Sequence, residues 1–540
     1  MKKLLLGFFT ILMLNTLNAQ NSENISRPNN TDAEGLYALW YQNKENPELY
    51  LNQPYIIGGQ MVFQWKELEP EKGKYDFSAI AEKLDKYSTL GIYATIQING
   101  NLKPDWLYEE VPYHRKKFSI QIRDSEGSLM FWHPTHKKAY LNLLSAFANF
   151  IKSNEAGNYL LGIRQNFNGF GTEHVHVPHD NIDISQWIIP AGLNKAIELQ
   201  EWSPEIMEDY REFVLDTYIG LFSGLINVFV RNTIHPDLEA KYKDEFESGK
   251  LCWFHTSSEV EPRNGSGEIK YKRFINYCRS GKTVAYAEPW ASAWGHHGGK
   301  TDDRWCSPPQ WFYWTQLNNL NCGVSYIGIY SNDMRVAIEG IYESTGVYFE
   351  DDEEHNYQNQ FQAVIDFAAK YAGKHDEPAQ SPGAWVAFRE NHMVLAANGM
   401  SKEARKLETL TGDYNFLMER ISDNSYGQGV TNVGPDNQRF GAWARVLPAG
   451  KQMKLSVDEN FLESCKNKPV SVSVTYYDEK GKGFDVLING QSHNISCAGK
   501  DSWKTVTFKA ENIKANIENA HMVIQNGAED CYLHMVEVTR

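Results

Sequence analysis

The chain has 540 residues, of which 42% are hydrophobic and 22% charged, and its formal net charge is −15 at pH 7. This composition predicts a folded protein with a sizeable core and more than one domain. The negative charge argues against nucleic acid or an anionic membrane as a partner, and the seven cysteines are too widely spaced for a disulfide framework or a zinc motif, although one or two disulfides remain open.

The N-terminal segment has the layout of a secretory signal peptide. Lys2 and Lys3 precede an apolar run over residues 4–14, and small residues end at Ala19. That run is well short of the roughly 20 residues that a membrane-spanning helix needs. We therefore predict a signal peptide over residues 1–19 and a secreted or periplasmic protein without a membrane span.

Short apolar runs alternate with amphipathic helical stretches from about residue 36 to residue 372. Eight of the runs are predicted strands: 36–40, 56–63, 92–98, 159–166, 226–230, 251–256, 283–287 and 324–330. The spacing matches a closed (β/α)8 TIM barrel better than a doubly wound sheet, because no glycine-rich nucleotide fingerprint follows the first strand. Functional side chains are then expected at the carboxyl ends of the strands.

Helices are predicted between these strands. Apolar residues share one face over residues 77–90, where Gly91 provides a stop signal, and similar patterns cover 138–151 and 205–221. These amphipathic stretches would cover the outside of the barrel.

A polar segment rich in proline and glycine, residues 373–383, indicates a linker. After it the pattern changes to short alternating strands, such as 470–477, 484–488 and 503–508, separated by turns. This is typical of a β-sandwich. The predicted domains are therefore a barrel over residues 20–375 and an all-β sandwich over residues 384–540.

Two glutamates lie where a parallel barrel places its chemistry. Glu173 follows the fourth predicted strand in a glycine-rich turn, and Glu288 directly follows the seventh strand, where Pro289 stiffens the exit. A lone glutamate at either place is more often exposed or ion-paired. The predicted position of both residues at the carboxyl ends of barrel strands is what favours a catalytic role. Cleavage of a glycosidic bond requires two carboxyl groups, which makes this pair the candidate.

The segment from Gly59 to Phe77 contains a tryptophan, a Glu-Pro pair, a glycine and a Tyr-Asp-Phe triplet. With the two glutamates, it resembles clan A of the glycoside hydrolases, retaining barrels that include β-galactosidases, cellulases, agarases and xylanases. The resemblance covers residues 36–372. It implies that Glu173 is the acid/base and Glu288 the nucleophile, although Thr172 stands where most of these enzymes have Asn.

Rival carboxylates and binding residues also follow predicted strands. Glu259 and Glu261, after the sixth strand, suit substrate binding better than nucleophilic attack. The candidates for sugar contacts are Gln64, Trp65, Asn99, Asn166, His174, His255, Glu259, Tyr286, Trp290, Trp294 and Tyr330. No carboxylate or cysteine completes a metal-ligand set with His255 or His296–His297, so we expect neither a metal nor a cofactor.

The C-terminal segment from residue 503 to residue 538 resembles the jelly-roll domains of exported bacterial enzymes that degrade polysaccharides. It is interpreted as a carbohydrate-binding or accessory domain.

Together these features predict a secreted retaining glycoside hydrolase that cleaves β-glycosidic bonds in a plant or algal poly- or oligosaccharide. A galactose-containing chain is the single substrate that we predict first. The basic run at residues 115–117 suggests that this chain is sulfated. The alternative is a catalytically inactive secreted glycan-binding protein that uses the barrel as a scaffold.

Overall fold

A computed structural model describes residues 30–172, 184–194, 199, 201–231, 234, 236–255, 277–289, 292–293, 307–340, 356–389, 413–421, 429–431, 433–515 and 519–540. Within these ranges no helix is both long and apolar enough to cross a membrane.

Eight parallel strands close into a barrel in which each strand pairs with the next and the eighth pairs with the first. They are β1 (Gly35–Leu39), β2 (Ile56–Gln64), β3 (Tyr93–Asn99), β4 (Leu160–Arg164), β5 (Asn227–Arg231), β6 (Cys252–His255), β7 (Ala285–Ala287) and β8 (Tyr326–Tyr330). A small hairpin of Tyr113–His114 and Ser128–Leu129 lies between β3 and β4 in the chain. All eight strands fall at the predicted places.

Helices connect the strands. They are α1 (Glu48–Leu51), α2 (Trp65–Leu68), α3 (Ser78–Leu90), α4 (Leu107–Glu110), α5 (Pro134–Ser153), α6 (Pro204–Phe222), α7 (Pro236–Lys241), α8 (Lys243–Glu247), α9 (Pro308–Asn321), α10 (Ser331–Glu339) and α11 (Gln358–Tyr371). Helix α3 ends as predicted at Gly91, whose φ of 67° is left-handed. Helix α5 begins a turn earlier than predicted, because His133 caps it and Pro134 suits a first turn.

The inside of the barrel is a plug of aromatic rings. The ring centroids of Tyr37 and Tyr286 are 6.3 Å apart, and those of Phe229 and Tyr326 are 5.9 Å apart. These residues belong to strands that are not neighbours, so the rings meet across the lumen. A larger apolar core lies outside the strands, against the helices.

The C-terminal part forms two antiparallel sheets. Its elements are β9 (Gly383–Ala387), β10 (Tyr414–Phe416), β11 (Met418–Arg420), β12 (Gly429–Thr431), β13 (Trp443–Leu447), β14 (Gln452–Val457), α12 (Glu459–Ser464), β15 (Pro469–Tyr477), β16 (Gly483–Ile488), β17 (Gln491–Ser496), β18 (Trp503–Glu511), β19 (Met522–Asn526) and β20 (Cys531–Thr539). Strands β11, β14, β16, β17 and β19 form one sheet and the others the second. A separate apolar core lies between them. A TIM barrel followed by an all-β sandwich, the predicted fold class, is confirmed.

Helix α9 packs between the barrel and the sandwich, and all of its residues are buried. The Tyr313 hydroxyl lies 3.1 Å from His534 Nε2, and the ring of Trp314 meets that of Trp443 at 5.2 Å. Burial lowers the pKa of His534 to about 3, which keeps the imidazole neutral at this contact. The barrel and the sandwich therefore share an aromatic interface.

A half-buried carboxyl group, that of Glu34, lies at the amino end of the barrel strands, where the chain enters β1. Glu34 lies against Gly373, where an added Cβ would come within 2.3 Å of the Glu34 Cβ. Burial raises the pKa of Glu34 to about 8, and the Asp376 carboxylate adds to this shift, whereas Lys374 and Ser325 oppose it. The folded protein therefore favours the protonated form of Glu34.

This raised pKa predicts a pH-dependent loss of stability. Between the usual pKa of 4.5 and the folded value of about 8, the folded state keeps a proton that the unfolded state has lost. The stability that this proton contributes is complete below the lower value and is lost as pH rises through the upper one. We therefore expect Glu34→Gln to gain thermal stability relative to wild type as pH rises from about 5 to about 8, as measured by calorimetry at constant salt.

Asp376→Asn provides the matched control. It removes one charge that raises the pKa of Glu34, so its stability should fall less steeply with pH than that of wild type and more steeply than that of Glu34→Gln. Parallel curves for Glu34→Gln and wild type would contradict the assignment.

Candidate functional site

Glu288 lies at the carboxyl end of β7 and is 6% exposed. Its carboxylate accepts hydrogen bonds from Trp40 Nε1 at 3.1 Å, Gln60 Nε2 at 2.8 Å and Arg164 Nη1 at 3.4 Å. Side chains alternate along a strand, so Glu288 faces the lumen on the same side of β7 as Tyr286. The carboxylate therefore lies above the aromatic rings of the lumen and accepts hydrogen bonds from three other parts of the barrel.

Arg164, the last residue of β4, is the positive partner of this carboxylate. Its Nε donates to Asn166 Oδ1 and its Nη2 to Asn99 Oδ1, both at 3.1 Å. Asn166 Nδ2 donates in turn to Asn99 Oδ1 at 2.9 Å, and the guanidinium carbon lies 5.2 Å from the ring centroid of Phe254. This network fixes the cation beneath Glu288.

The turn after β4 is described up to Thr172, one residue before Glu173. The backbone N–H groups of Phe167 and Asn168 both donate to the Thr172 carbonyl, at 2.8 and 3.0 Å. Asn168 has a left-handed φ of 51°, and its Oδ1 accepts from Gly100 N at 2.7 Å. An added Cβ at Gly100 would lie 3.0 Å from the Asn168 side chain, so glycine permits this close approach. The path of the chain is therefore defined up to Thr172.

Two buried side chains brace the same turn. Lys103 Nζ donates to the carbonyl oxygens of Gly100 at 2.8 Å and Gly169 at 3.1 Å, and Tyr210 donates its hydroxyl to the Phe167 carbonyl at 2.6 Å. Burial lowers the pKa of Lys103 to about 8, against the pull of Asp124. The carbonyl groups of an irregular turn thus find donors inside the protein, as buried backbone requires.

Tyrosines surround the carboxylate. Burial, and then the charge of Glu288, raise the pKa of Tyr286 and of Tyr330 above the usual value of 10.0. Both hydroxyls therefore stay protonated at neutral pH, so they add no negative charge beside Glu288. Electrostatic interactions are stronger in such a region of low polarity than in water.

Trp40 follows β1 directly and has unusual backbone geometry. Its φ is 51°, in the left-handed region that a bulky residue rarely adopts, and Ser331 Oγ donates to its carbonyl at 3.1 Å. Such a conformation costs about 1–3 kcal/mol. The indole is nevertheless 42% exposed, so burial of the ring offsets little of this cost.

The structure gathers some of the predicted residues and separates others. Asn99 and Asn166 meet at Arg164, and Gln64 accepts from Leu102 N at 3.2 Å at the end of β2. The predicted sugar contact of Trp65 is wrong. It is fully buried, and its ring lies 5.2 Å from that of Tyr140, so it stabilises the packing of α5 and offers no surface to a sugar.

The predicted sugar contact of Tyr286 is wrong for the same reason. It is 2% exposed, and its ring packs at 5.8 Å from that of Phe254 inside the lumen. It therefore lies beneath Glu288 and offers no face to a sugar. Tyr330, by contrast, ends β8 and is partly exposed, so it remains a candidate contact.

Other predicted residues lie outside the described part of the chain. For His255 only the backbone, at the end of β6, is described. The undescribed candidates are Glu173, His174, Glu259, Glu261, Trp290 and Trp294. Among the side chains that are described, no group of three or more His, Cys, Asp or Glu is placed to hold a metal ion.

Three residues that contact Glu288 were missed by sequence reasoning: Trp40, Gln60 and Arg164. Gln60 interrupts a run that is otherwise mostly apolar and buried, and Arg164 ends another such run. A polar residue in such a strand is costly unless it has a partner inside, and this signal could have identified both. Trp40 carried no comparable signal, because alternation along β1 predicts that it points away from the lumen.

Comparisons with known proteins match one segment of the barrel. Residues 59–156 match the family model described as beta-galactosidase, glycoside hydrolase family 42. Beta-galactosidase BbgII of Bifidobacterium bifidum is 25% identical over 137 residues, which make up 22% of this chain and 19% of that protein. The match thus spans about a fifth of the relative. The resemblance to barrel glycoside hydrolases predicted from sequence is confirmed for this segment.

Solved structures give weaker likenesses. The cold-adapted beta-galactosidase from Rahnella sp. R3 has a TM-score of 0.36 and 13% identity, over 63% of this chain and 57% of that one. Xylanase B from Clostridium stercorarium F9 has a TM-score of 0.34 and 12% identity, over 62% and 97% of the two chains.

The pairing of Glu288 with Arg164 predicts a large effect on stability. Both side chains are less than a tenth exposed, so Arg164→Met leaves a buried carboxylate without its cation and should cost about 3–5 kcal/mol in the free energy of unfolding. The double variant Arg164→Met/Glu288→Gln should be more stable than Arg164→Met alone. Urea denaturation of wild type, Arg164→Met, Glu288→Gln and the double variant measures this coupling.

Lys66→Met is the control, because Lys66 forms an exposed ion pair with Asp105. It should change the free energy of unfolding by less than about 1 kcal/mol. A double variant no more stable than Arg164→Met would show that the Arg164 charge does not compensate Glu288.

Proposed function

We propose that the protein is a retaining β-glycosidase in which Glu288 is the nucleophile and Glu173 the acid/base. The observation that carries the proposal is the Glu288 carboxylate. It lies at the carboxyl end of the seventh strand of a closed barrel, and three donors that include one cation orient it. Barrel enzymes place their chemistry at this end. Glu173 comes directly after the braced turn that follows the fourth strand, and this place in the chain supports it as the partner.

The mechanism follows from two carboxyl groups with different tasks. Glu288 attacks the anomeric carbon while Glu173, initially protonated, gives its proton to the leaving oxygen. A covalent glycosyl-enzyme forms, and Glu173 then takes a proton from the water that releases the sugar with retained configuration. This chemistry requires carboxyl groups about 5–5.5 Å apart. Gln60, Trp40 and Arg164 would fix the direction of attack.

For the substrate, we propose a β-linked, galactose-containing plant or algal polysaccharide, cleaved outside the cell after export through the segment 1–19. The similarity to proteins described as beta-galactosidases supports the choice of sugar. The basic and apolar pattern of residues 1–19 supports export.

Substitution of the two glutamates tests the mechanism. Glu288→Gln should reduce turnover on every substrate by at least about a thousandfold, because an amide cannot replace the attacking carboxylate. Glu173→Ala should retain the first step on aryl β-galactosides whose leaving group needs no proton. Azide should then restore its turnover, and NMR of the azide adduct should show retained configuration.

Glu259→Gln and Glu261→Gln are matched controls and should keep the mechanism unchanged. If Glu288→Gln keeps near-wild-type turnover, or if the wild-type product is inverted, the roles are wrong. If the wild type binds glycans but hydrolyses none of a plant and algal panel, the inactive glycan-binding protein is the better description.

We further propose that the substrate contains an anionic sugar. The basic run begins with Arg115, which pairs with Glu126 at 2.5 Å, and continues with Lys116 and Lys117. The neighbouring ring of Phe118 packs at 4.9 Å from that of Phe170, in the turn that leads to Glu173. This contact supports a position of the run beside the cleft.

Replacing residues 115–117 by Gln should raise KM for a sulfated galactan by about tenfold, since charge-assisted hydrogen bonds to sulfate are lost. The KM for the desulfated polymer is expected to stay the same. Reducing-end assays on both polymers measure the difference, and the triple variant Lys466→Gln/Lys468→Gln/Lys514→Gln in the sandwich, which removes the same number of exposed charges, controls for net charge. An equal rise for both polymers would rule out recognition of the sulfate.

A further inference from the structure

We propose that the indole of Trp40 is a binding face for a neutral pyranose, the sugar unit whose anomeric carbon Glu288 attacks. This inference deepens the proposed function and rests on it. It assigns to the residue after β1 a contact that the sequence did not predict.

The side chain of Trp40 points towards the lumen end of the barrel, against the alternation of β1. Leu39, the residue before Trp40, belongs to the lumen cluster. Continued alternation would therefore turn the next side chain outward, towards the helices. The φ of 51° at Trp40 ends the extended run, and the indole Nε1 instead reaches Glu288 at 3.1 Å. The unusual backbone thus brings the ring to the carboxylate.

The ring of Trp40 is partly exposed to solvent. Among the described residues, the exposed large hydrophobic side chains are Trp40 at 42%, Leu90 at 39% and Ile120 at 100%. Trp40 is the aromatic member of this group. Its donor edge is engaged with Glu288 while part of its apolar surface faces solvent. An aromatic residue with one bound polar edge and one open face suits a ligand that is apolar on one side and polar on the other.

The segment that carries the ring is fixed in place. Ser331 Oγ donates to the Trp40 carbonyl at 3.1 Å, and Gln42 Nε2 donates to the Gln60 carbonyl at 3.0 Å. Tyr41 contacts the hydroxyl of Tyr87 through its own hydroxyl. A face anchored on both sides loses little conformational freedom when a ligand binds, which favours affinity.

The chemistry of the site selects the ligand class. A β-galactopyranose presents the hydrogens of C3, C4 and C5 on one face, and this face can stack on an indole. An anionic ring in the same place would be repelled by the Glu288 carboxylate, whose described cationic partner, Arg164, is already engaged with it, so a neutral sugar fits this position better. Any sulfate in the substrate would therefore belong to another unit of the chain, nearer the basic run.

Backbone strain separates this role from a purely structural one. Asn tolerates the left-handed region far better than Trp does, so Trp40→Asn removes the apolar face and relieves strain together. A site that stores strain for function should gain stability and lose binding when the strain is released. A packing residue would lose stability.

The test compares Trp40→Asn, Trp40→Phe and the control Leu90→Asn, which replaces a side chain of similar exposure at the other end of the barrel. Galactose, glucose and xylose are titrated calorimetrically, and kcat and KM are measured with 4-nitrophenyl β-galactoside. Trp40→Asn should weaken sugar binding and raise KM by at least about tenfold, with an unchanged or higher Tm. Trp40→Phe keeps a ring and loses the N–H to Glu288, so it should lower kcat by about tenfold with a smaller change in KM.

Three results would overturn the inference: sugar affinity of Trp40→Asn equal to that of Leu90→Asn, a fall of several degrees in its Tm, or wild-type protein that binds none of the three sugars. The proposed function fails separately. If Glu288→Gln still turns over while Trp40→Asn loses sugar affinity, the nucleophile is wrong and the binding face stands. If Glu288→Gln is inactive and Trp40→Asn binds normally, the nucleophile stands and the binding face is wrong.

Discussion

A buried carboxylate must be compensated, and the arrangement at the top of the barrel follows from this constraint. Glu288 is 6% exposed, and an isolated charge at such a place would be very costly. Its donors come from the residue after β1, the middle of β2 and the end of β4. None of these three strands pairs directly with β7, so closure of the barrel brings their donors to the carboxylate.

The residues beneath the carboxylate make that compensation effective. The lumen is filled by rings from β1, β5, β6, β7 and β8, and its tyrosines remain neutral because burial raises the pKa of groups such as Tyr37 and Tyr326. Above this floor of neutral aromatic residues, Arg164 pairs with Glu288. Asn99 and Asn166 hold its guanidinium in place, so the direction of the positive charge is set before any ligand arrives, which is the preorganisation on which electrostatic catalysis depends.

Rigid and strained segments surround the same point. The turn after β4 is irregular, yet its carbonyl groups are satisfied by buried donors, including Lys103 and Tyr210. The residue after β1 is held in a left-handed conformation that its own side chain does not favour. Strain of this kind persists only where the surrounding structure over-determines it. Trp40 contacts Glu288, and the turn after β4 directly precedes Glu173, so both segments are close, in space or in sequence, to a residue of the proposed chemistry.

The strands, the barrel and sandwich classes, and the position of Glu288 after the seventh strand could all be predicted from the sequence. These features depend on the local period of apolar residues and on turn chemistry, which neighbouring residues specify. The contacts between side chains could be seen only in the folded protein. The tertiary structure placed Trp65 and Tyr286 in packed interiors and brought Trp40, Gln60 and Arg164 to the carboxylate. A strand pattern shows only which residues share a face, because the angle at which strands close around the lumen sets the contacts between distant strands.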